Sequence, residues 1–151
     1  MRRGIDTNVL VYAHLPAFSE HTRVRAHLQA QLAARDVSVV LTPLVLHEFI
    51  HVVTDPRRFS PPLTMEQATA VVRGYLGKSN VEVVPIDEGA LRLALLFLER
   101  HHLGRKRIAD ALLAAALLAH DVDAIVTCNP GDFAPFAELR VIDPRQGAGS
   151  E

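Results

Sequence analysis

The chain has 151 residues, of which 49% are hydrophobic and 22% charged, and its formal net charge is −1. This length and composition are typical of one globular domain with a substantial core, and they exclude a disordered chain. The near-zero charge excludes a global basic field for binding nucleic acid, but not an acidic pocket beside a basic rim. Cys128 is the only cysteine, so an intrachain disulfide is excluded and a reducing compartment is favoured.

Patterns typical of strands and helices alternate along the chain. β-Branched and apolar runs predict strands that end at residue 5 and span residues 37–41, 81–85, 124–128 and 139–142. Apolar periodicity and helix-starting residues predict helices at residues 19–34, 43–54, 64–77, 87–102 and 108–120. This alternation predicts an α/β fold with a central, mainly parallel sheet between two layers of helices. The domain is expected to span residues 1–145, followed by a flexible Gly-rich tail at 146–151.

No segment has the properties of a membrane span or a targeting signal. The longest apolar run, residues 111–119, is shorter than the roughly 20 residues that cross a bilayer. Arg2 and Arg3 precede an apolar segment, but Asp6 and Asn8 interrupt it and no convincing cleavage site follows. We therefore expect a soluble, cytoplasmic protein that does not bind membranes.

An acidic residue, Asp6, follows the first strand directly, in the segment Gly4-Ile5-Asp6-Thr7-Asn8. Open α/β proteins bind ligands at the carboxyl ends of their strands, so an acid at this place indicates a chemical role. Asp is also a good N-cap, and Asp6 precedes an apolar, helix-forming run. The segment alone supports the two interpretations equally.

Two further acids lie in apolar helices. Asp110 is the one acid of the helix at 108–120, whose other residues are almost all apolar, as in a buried helix. A buried carboxylate needs a cap role, a partner or a metal, and stabilisation by the helix dipole is the simplest alternative. Glu48 lies in the middle of the helix at 43–54, where an exposed polar stripe is the ordinary alternative.

The helix with Glu48 contains His47-Glu48-Phe49-Ile50-His51, a literal match to the H-E-x-x-H motif of zinc proteases. A zinc-dependent hydrolase is therefore an alternative function. The longer metzincin pattern requires Gly and His where this chain has Thr54 and Arg57. A third zinc ligand could come from Glu66 or Glu88, but neither lies in a ligand motif.

Polar residues also follow the predicted strand at 124–128. Because this strand should run parallel to the first, both end at the edge of the sheet where Asp6 lies. Thr127 lies at the end of the strand, and Asn129 and Asp132 follow it. We expect them near Asp6, although Asn-Pro-Gly-Asp is also an ordinary turn sequence.

In combination, Asp6-Thr7-Asn8, Glu48, Asp110-Ala111 and Thr127-x-Asn129-x-x-Asp132-Phe133 resemble the motifs of PIN-domain ribonucleases. More narrowly, they resemble the VapC toxins of type II toxin–antitoxin systems. The resemblance extends from Ile5 to Pro144, and residues 54–59 and 104–113 resemble one VapC subgroup. Many of these ribonucleases carry an acid at the position of Asn129, so the fourth residue of the site is either Asp132 or Asn129.

The resemblance implies a three-layer PIN-like domain that cuts RNA endonucleolytically with Mg²⁺ or Mn²⁺. It implies that Asp6 and Asp110 bind the metal and that Glu48 orients or deprotonates the attacking water. Asp132 or Asn129 would act through water or on a second metal. Three neighbouring polar residues would hold the carboxylates in place: Thr7, Asn8 and Thr127. Clustered carboxylates favour hard divalent cations, which supports this implication on chemical grounds.

The same resemblance implies three partners: an RNA substrate, a cognate antitoxin and a second copy of the chain in a homodimer. Apolar residues at 9–14 and 43–54 are candidates for an antitoxin groove, although the sequence does not distinguish a groove from the core there. Three bases shortly before Asp110 are candidate RNA phosphate contacts: Arg105, Lys106 and Arg107. The pair Arg57-Arg58 is better explained as solvated charge. Few aromatic residues are available to stack on bases: Tyr12, Phe18 and Phe59.

A third class of function is a non-catalytic acidic pocket, such as that of a phospho-receiver domain. A receiver requires a phospho-accepting Asp at the end of its third strand and a Lys at the end of its fifth. Pro85 follows the third strand here, and no Lys occurs after Lys106. The sequence therefore favours the ribonuclease.

Overall fold

The computed structural model describes residues 1–147, and residues 148–151 of the predicted tail lie outside the described residues. The described chain forms five strands: β1 (Arg2–Ile5), β2 (Ser38–Leu41), β3 (Val81–Val83), β4 (Ala124–Val126) and β5 (Arg140–Ile142). It forms six α-helices: α1 (Thr7–His14), α2 (His21–Ala33), α3 (Pro43–Val53), α4 (Met65–Leu76), α5 (Glu88–Arg100) and α6 (Ile108–Ala119). Two short 3₁₀ turns precede α6 and follow β4, at Arg105–Arg107 and Pro130–Asp132.

Local sequence sets the helix starts. The side chains of Thr42 and Asp87 cap α3 and α5, each by accepting a hydrogen bond from a backbone N–H three residues later. Thr64 and Gln67 form a reciprocal capping box at the start of α4. These three starts agree with the sequence prediction to within one residue.

The sheet is parallel throughout, with the strand order β3-β2-β1-β4-β5. The chain moves outward from β1 to β3 and then crosses back to β4 on the other side of β1. Because such connections are right-handed, the helices before β3 and those after it cover opposite faces of the sheet. The predicted three-layer α/β/α architecture is therefore confirmed, with α1 to α4 on one face and α5 and α6 on the other.

The reversal of direction between β1 and β4 positions the site. A crevice forms where neighbouring parallel strands connect to opposite faces, and open α/β proteins bind ligands there. Asp6 follows β1, and its N–H donates to the Val126 carbonyl of β4 at 3.0 Å. The ends of these two strands, and the residues that follow them, are thereby held together.

Close packing of α6 on the sheet depends on Gly4. A Cβ added to Gly4 would lie 2.7 Å from Cδ2 of Leu117, which is fully buried. Packing, not backbone conformation, therefore requires glycine here. This contact fixes the distance between α6, which carries Asp110, and β1, which leads into Asp6.

Some sequence predictions are wrong in detail. The helix α6 is not buried over its whole length: Ile108 is 45% exposed and Ala109 is exposed, and full burial begins at Ala111. The apolar residues proposed for an antitoxin groove mostly belong to the core, where seven are buried: Val9, Leu10, Val11, Ala13, Val45, Phe49 and Val53. The strands β3 and β4 end two residues early, where the chain turns into loops. No helix within residues 1–147 is long and apolar enough to cross a bilayer.

Gly4→Ala should lower the free energy of unfolding by about 1–3 kcal/mol, because the new methyl group must displace the buried Leu117 side chain. Urea denaturation measures this change. Gly74→Ala is a matched control: nothing lies within 4 Å of a Cβ added to that residue of α4, so it should be neutral or stabilise by up to about 1 kcal/mol. Equal stability of Gly4→Ala and the parent protein would contradict the close contact with α6.

Candidate active site

Asp6 has two structural roles at the end of β1. Its Oδ1 accepts a hydrogen bond from the Thr7 N–H at 2.7 Å and thereby caps α1. Its Oδ2 accepts hydrogen bonds from the Thr127 hydroxyl at 2.7 Å and from the Asn8 side-chain amide at 3.1 Å. The cap interpretation is thus confirmed, and the same carboxylate also joins a polar cluster between β1 and β4.

Glu48 reaches this cluster from α3. Its Oε2 accepts a hydrogen bond from the Thr7 hydroxyl at 2.8 Å. The side chain is half-buried, whereas His47 and His51 of the same helix are exposed. The alternative that Glu48 belongs to an exposed polar stripe is therefore wrong.

Further hydrogen bonds tie α1 to the loop after β4. The Asn8 carbonyl oxygen Oδ1 accepts from the Cys128 N–H at 3.0 Å. The Thr127 hydroxyl oxygen accepts from the Asn129 N–H at 3.0 Å while the hydroxyl donates to the carboxylate after β1. Thr127 is fully buried, so these bonds hold the residues at the base of the acidic cluster in fixed positions.

Asp110 and Asp132 share one cation, Arg107. The Nε of Arg107 lies 3.2 Å from Oδ2 of Asp110, and its Nη1 lies 3.2 Å from Oδ1 of Asp132. Its Nη2 also donates to the backbone carbonyl of Asp132. Asp110 therefore has an ion-pair partner, and the helix dipole is not its only stabilisation. Of the three bases predicted to contact phosphate, Arg107 binds these acids, whereas Arg105 and Lys106 are exposed.

A cavity of about 320 Å³ opens among these residues. Its lining includes most of the predicted site: Asp6, Thr7, Asn8, Glu48, Asp110, Asn129 and Asp132. Thr127 lies directly below and contacts the Asp6 carboxylate. The loop after β4 thus brings both candidates for the fourth position, Asn129 and Asp132, to the same cavity.

In the absence of a cation, the electrostatics of the cavity raise the pKa values of two acids. Burial raises the pKa of Asp6 to about 6, against hydrogen bonds from Thr127 and Thr7 that lower it. Burial also raises the pKa of Asp110 to about 6, and the negative charges of Asp132 and Asp6 add to the effect. Arg107 acts in the opposite direction on Asp110. One guanidinium therefore compensates the cluster only partly.

The donor set of the cavity fits a hard divalent cation. The lining offers carboxylate, amide and hydroxyl oxygens but no His or Cys, which is the chemistry that Mg²⁺ and Mn²⁺ prefer. Within residues 1–147, no three His, Cys, Asp or Glu side chains already form a metal cage. Mg²⁺ does not require one, since it keeps several waters and often binds only one or two carboxylates.

The zinc motif in α3 is not assembled as a zinc site. His47 and His51 stack on each other with ring centroids 6.1 Å apart, on the exposed face of the helix. Glu48 instead faces the cavity and binds Thr7. Catalytic zinc requires three protein ligands, and the described residues provide no such group.

Four residues that line the cavity belong to none of the motifs that predicted the site. Arg58, which the sequence favours as a solvated charge, lines the cavity, and so do Tyr12, Phe18 and Phe59. Nothing in the local sequence distinguishes Arg58 from its neighbour Arg57. The fold alone brings the loop after α3 against Phe18, in the loop after α1.

Arg107→Gln should raise the pKa of Asp110 above about 6 in the metal-free protein, because Arg107 is the cation that lowers it. An NMR titration of the Asp110 side-chain carboxyl carbon measures the pKa. Arg105→Gln is the matched control, since Arg105 is exposed and should leave this pKa unchanged. An unaltered Asp110 pKa in Arg107→Gln would show that the ion pair does not form in solution.

Comparison with known proteins places the chain in a family. Residues 5–139 match the PIN domain. Ribonuclease VapC33 of Mycobacterium tuberculosis is 30% identical over 139 residues, which cover 92% of this chain and 95% of that protein. A FitAB complex bound to the IR36 DNA fragment has a similar fold, with a TM-score of 0.69, 22% identity and 99% of each chain covered. So does a toxin–antitoxin complex from Klebsiella pneumoniae, with a TM-score of 0.61, 18% identity, and 94% of this chain and 97% of that one covered. The chain therefore belongs to the PIN-domain family and has VapC ribonucleases among its relatives.

Proposed function

We propose that this protein is an endoribonuclease that hydrolyses RNA phosphodiester bonds with Mg²⁺ or Mn²⁺ and acts as the toxin of a toxin–antitoxin pair. One observation carries the proposal: carboxylates from four separate chain segments line one cavity that contains no His or Cys. A divalent cation would neutralise the charge that Arg107 leaves uncompensated. The relationship to ribonuclease VapC33 supports RNA as the substrate.

Asp6 and Asp110 are the proposed metal ligands. The Oδ1 atom of Asp110 accepts no hydrogen bond from the described residues, so it is available to a cation. Asp6 is held from two sides by Thr7 and Thr127, which fixes its orientation. The bound metal would supply positive charge beside the phosphoryl oxygens and lower the pKa of a water molecule. Asp132 or Asn129 is the proposed fourth residue, acting through water or on a second metal.

Glu48 is the proposed general base. Its Oε2 is held by the Thr7 hydroxyl, while its Oε1 accepts no hydrogen bond from the described residues. Thr7 therefore limits the rotation of the carboxylate and leaves one oxygen to accept a proton from the attacking water. Removing that proton as the water attacks phosphorus is the expected contribution to catalysis.

Arg105 and Lys106 are the proposed contacts to the RNA backbone. Both are exposed and immediately precede Arg107, whose guanidinium is occupied by Asp110 and Asp132. Exposed bases beside an acidic cavity offset its repulsion of a polyanion. Their contribution should not depend on RNA sequence.

The structure gives no support to the other two functions. A phospho-receiver has the strand order 2-1-3-4-5, whereas this sheet has β3-β2-β1-β4-β5. The zinc hydrolase lacks a third protein ligand beside His47 and His51 among the described residues.

The proposed partner is an antitoxin protein, as in the structurally similar complex from Klebsiella pneumoniae. Side chains of α1, α2 and α4 line a second cavity of about 330 Å³, which is the proposed antitoxin site. Its lining includes Ala13 and His14 of the segment 9–14 but no residue of the segment 43–54. Arg25 and Lys78 also line it and would favour an acidic antitoxin segment. A homodimer also remains part of the proposal, and the exposed leucines of α5 are available to form it: Leu91, Leu95 and Leu96.

Asp110→Asn should reduce RNA cleavage by about 100-fold or more, because it removes the charge that holds the cation at the scissile phosphate. Cleavage of total RNA with Mg²⁺ or Mn²⁺, followed by sequencing of the new ends, measures the loss and identifies the target. The fold should persist, since Asn has the same shape and this side chain is 23% exposed. Circular dichroism checks the fold.

Two controls accompany this experiment. Glu99→Gln removes an exposed acid of α5 outside the cavity and should leave cleavage unchanged. His51→Ala should also retain activity, and elemental analysis should find no stoichiometric zinc. Full activity of Asp110→Asn, or zinc that is lost with His51, would refute the proposed mechanism.

Mg²⁺ should raise the thermal unfolding temperature more at pH 8 than at pH 5. The pKa values of Asp6 and Asp110 are raised from 3.8 to about 6 in the fold, so the metal-free fold loses stability as pH rises through this range and both groups ionise. Mg²⁺ binds the ionised forms and should restore that stability. Thermal melts with and without Mg²⁺ at both pH values measure the difference. An equal Mg²⁺ effect at pH 5 and pH 8, or the same effect in Asp110→Asn, would contradict these two ligands.

A further inference from the structure

One side of the acidic cavity is formed by three aromatic rings: Tyr12 of α1, Phe18 of the loop after α1, and Phe59 of the loop after α3. The ring centroids of Tyr12 and Phe18 are 4.6 Å apart, and those of Phe18 and Phe59 are 5.9 Å apart. We call these three residues the aromatic wall. Neighbouring rings are inclined at 55° and 78°, and all three line the cavity that also contains the proposed catalytic acids.

The aromatic wall is not simply core. Three other phenylalanines, Phe49, Phe133 and Phe136, are fully buried. The rings of the aromatic wall pack against the core on one side but are only partly buried. Exposing three adjacent rings to water is unfavourable, and a ligand with an apolar planar face would relieve it.

A cation lies beside the aromatic wall. Arg58, which directly precedes Phe59, lines the cavity with a side chain that is 60% exposed. Its nearest charged partner is Asp55, at 3.6 Å, which leaves most of its donors free to bind a ligand. The adjacent Arg57 does not line the cavity and is 87% exposed. The lining of the cavity thus combines acids, aromatic rings and the guanidinium of Arg58.

We propose that the aromatic wall is a stacking subsite for one unpaired nucleobase of the RNA, and that Arg58 binds a phosphate of the same segment. This inference rests on the proposed ribonuclease function and extends it to the form of RNA that is accepted. Every nucleobase has a planar π face, and aromatic side chains bind such faces with little sequence preference. Guanidinium groups bind phosphate oxygens in a bidentate manner.

The spacing of the residues agrees with a single nucleotide. Tyr12 is four residues after Asn8, so the two side chains lie on one side of α1, about one turn or 5.4 Å apart along the helix. Asn8 binds the proposed metal ligand Asp6. A base on the aromatic wall would therefore belong to a nucleotide adjacent to the scissile phosphate. Base pairing would prevent this insertion, so the substrate segment must be a loop, a bulge or a single strand.

Binding of a short fluorescent RNA tests the subsite without relying on cleavage. The probe is a single-stranded eight-nucleotide RNA with one 2-aminopurine, added to the Asp110→Asn protein, and the control is the same RNA paired with its complement. Stacking on an aromatic ring should quench 2-aminopurine. We expect quenching with the single strand only, and roughly tenfold weaker binding with less quenching after Phe59→Leu or Tyr12→Leu. Phe59→Tyr, which keeps the π face, should bind like Phe59.

The contribution of Arg58 has a matched control in its neighbour. Arg58→Gln should weaken binding of the probe and reduce the slope of log affinity against log salt by about one. Arg57→Gln should do neither. Thermal melts confirm that each variant is folded before its affinity is compared.

The outcomes separate the subsite from the proposed function. Equal affinity and quenching for Phe59→Leu, Tyr12→Leu and the parent protein, or equal binding of single-stranded and paired RNA, would overturn the subsite even if the enzyme cuts RNA. Binding that depends on the aromatic wall, with no RNA cleavage by the wild-type protein, would support the subsite and refute the ribonuclease. Loss of affinity in Arg57→Gln equal to that in Arg58→Gln would overturn the assignment of Arg58.

Discussion

Hydrogen bonds between the carboxyl ends of β1 and β4 are the constraint on which the acidic cavity depends. The Asp6 N–H donates to the Val126 carbonyl, and the Thr127 hydroxyl donates to the Asp6 carboxylate. The strands meet only because the chain reverses its path across the sheet after β3. The other acids are positioned relative to this junction: Glu48 through Thr7, and Asp110 through the packing of α6 against β1.

The clustered carboxylates of the site lower the stability of the fold. Several carboxylates line one half-buried cavity, and the pKa values of Asp6 and Asp110 are raised because their ionised forms are poorly solvated there. Arg107 offsets part of this repulsion from within the chain, through two different acids. Such a cluster has no value for packing, so its persistence is understood only through the cation and substrate that it is proposed to bind.

The sequence predicted the fold well because its signals are local. Strands, helix starts and the parallel arrangement follow from hydrophobic periodicity, from caps such as Thr42 and Thr64, and from the alternation of elements. The convergence of Asp6, Glu48, Asp110 and Asp132 was predicted through motifs, since no local rule states that α3 and α6 meet at one cavity. Two features escaped prediction because they depend on tertiary geometry. Arg107 turns inward while Lys106 does not, and Arg58 enters the cavity while Arg57 does not.

The two proposed metal ligands differ in what else they support. Asp6 caps α1, and loss of a cap removes about 1 kcal/mol of stability together with the charge. Asp110 contacts only Arg107 among the hydrogen-bonding and ion-pairing groups of the described residues, so its charge can be lost with little effect on the fold. In a toxin–antitoxin pair, a folded but inert toxin still binds the antitoxin and withdraws it from active copies. In the proposed toxin role, loss of the charge at position 110 would therefore leave a folded, inert competitor for the antitoxin, whereas loss of the charge at position 6 would also weaken the fold.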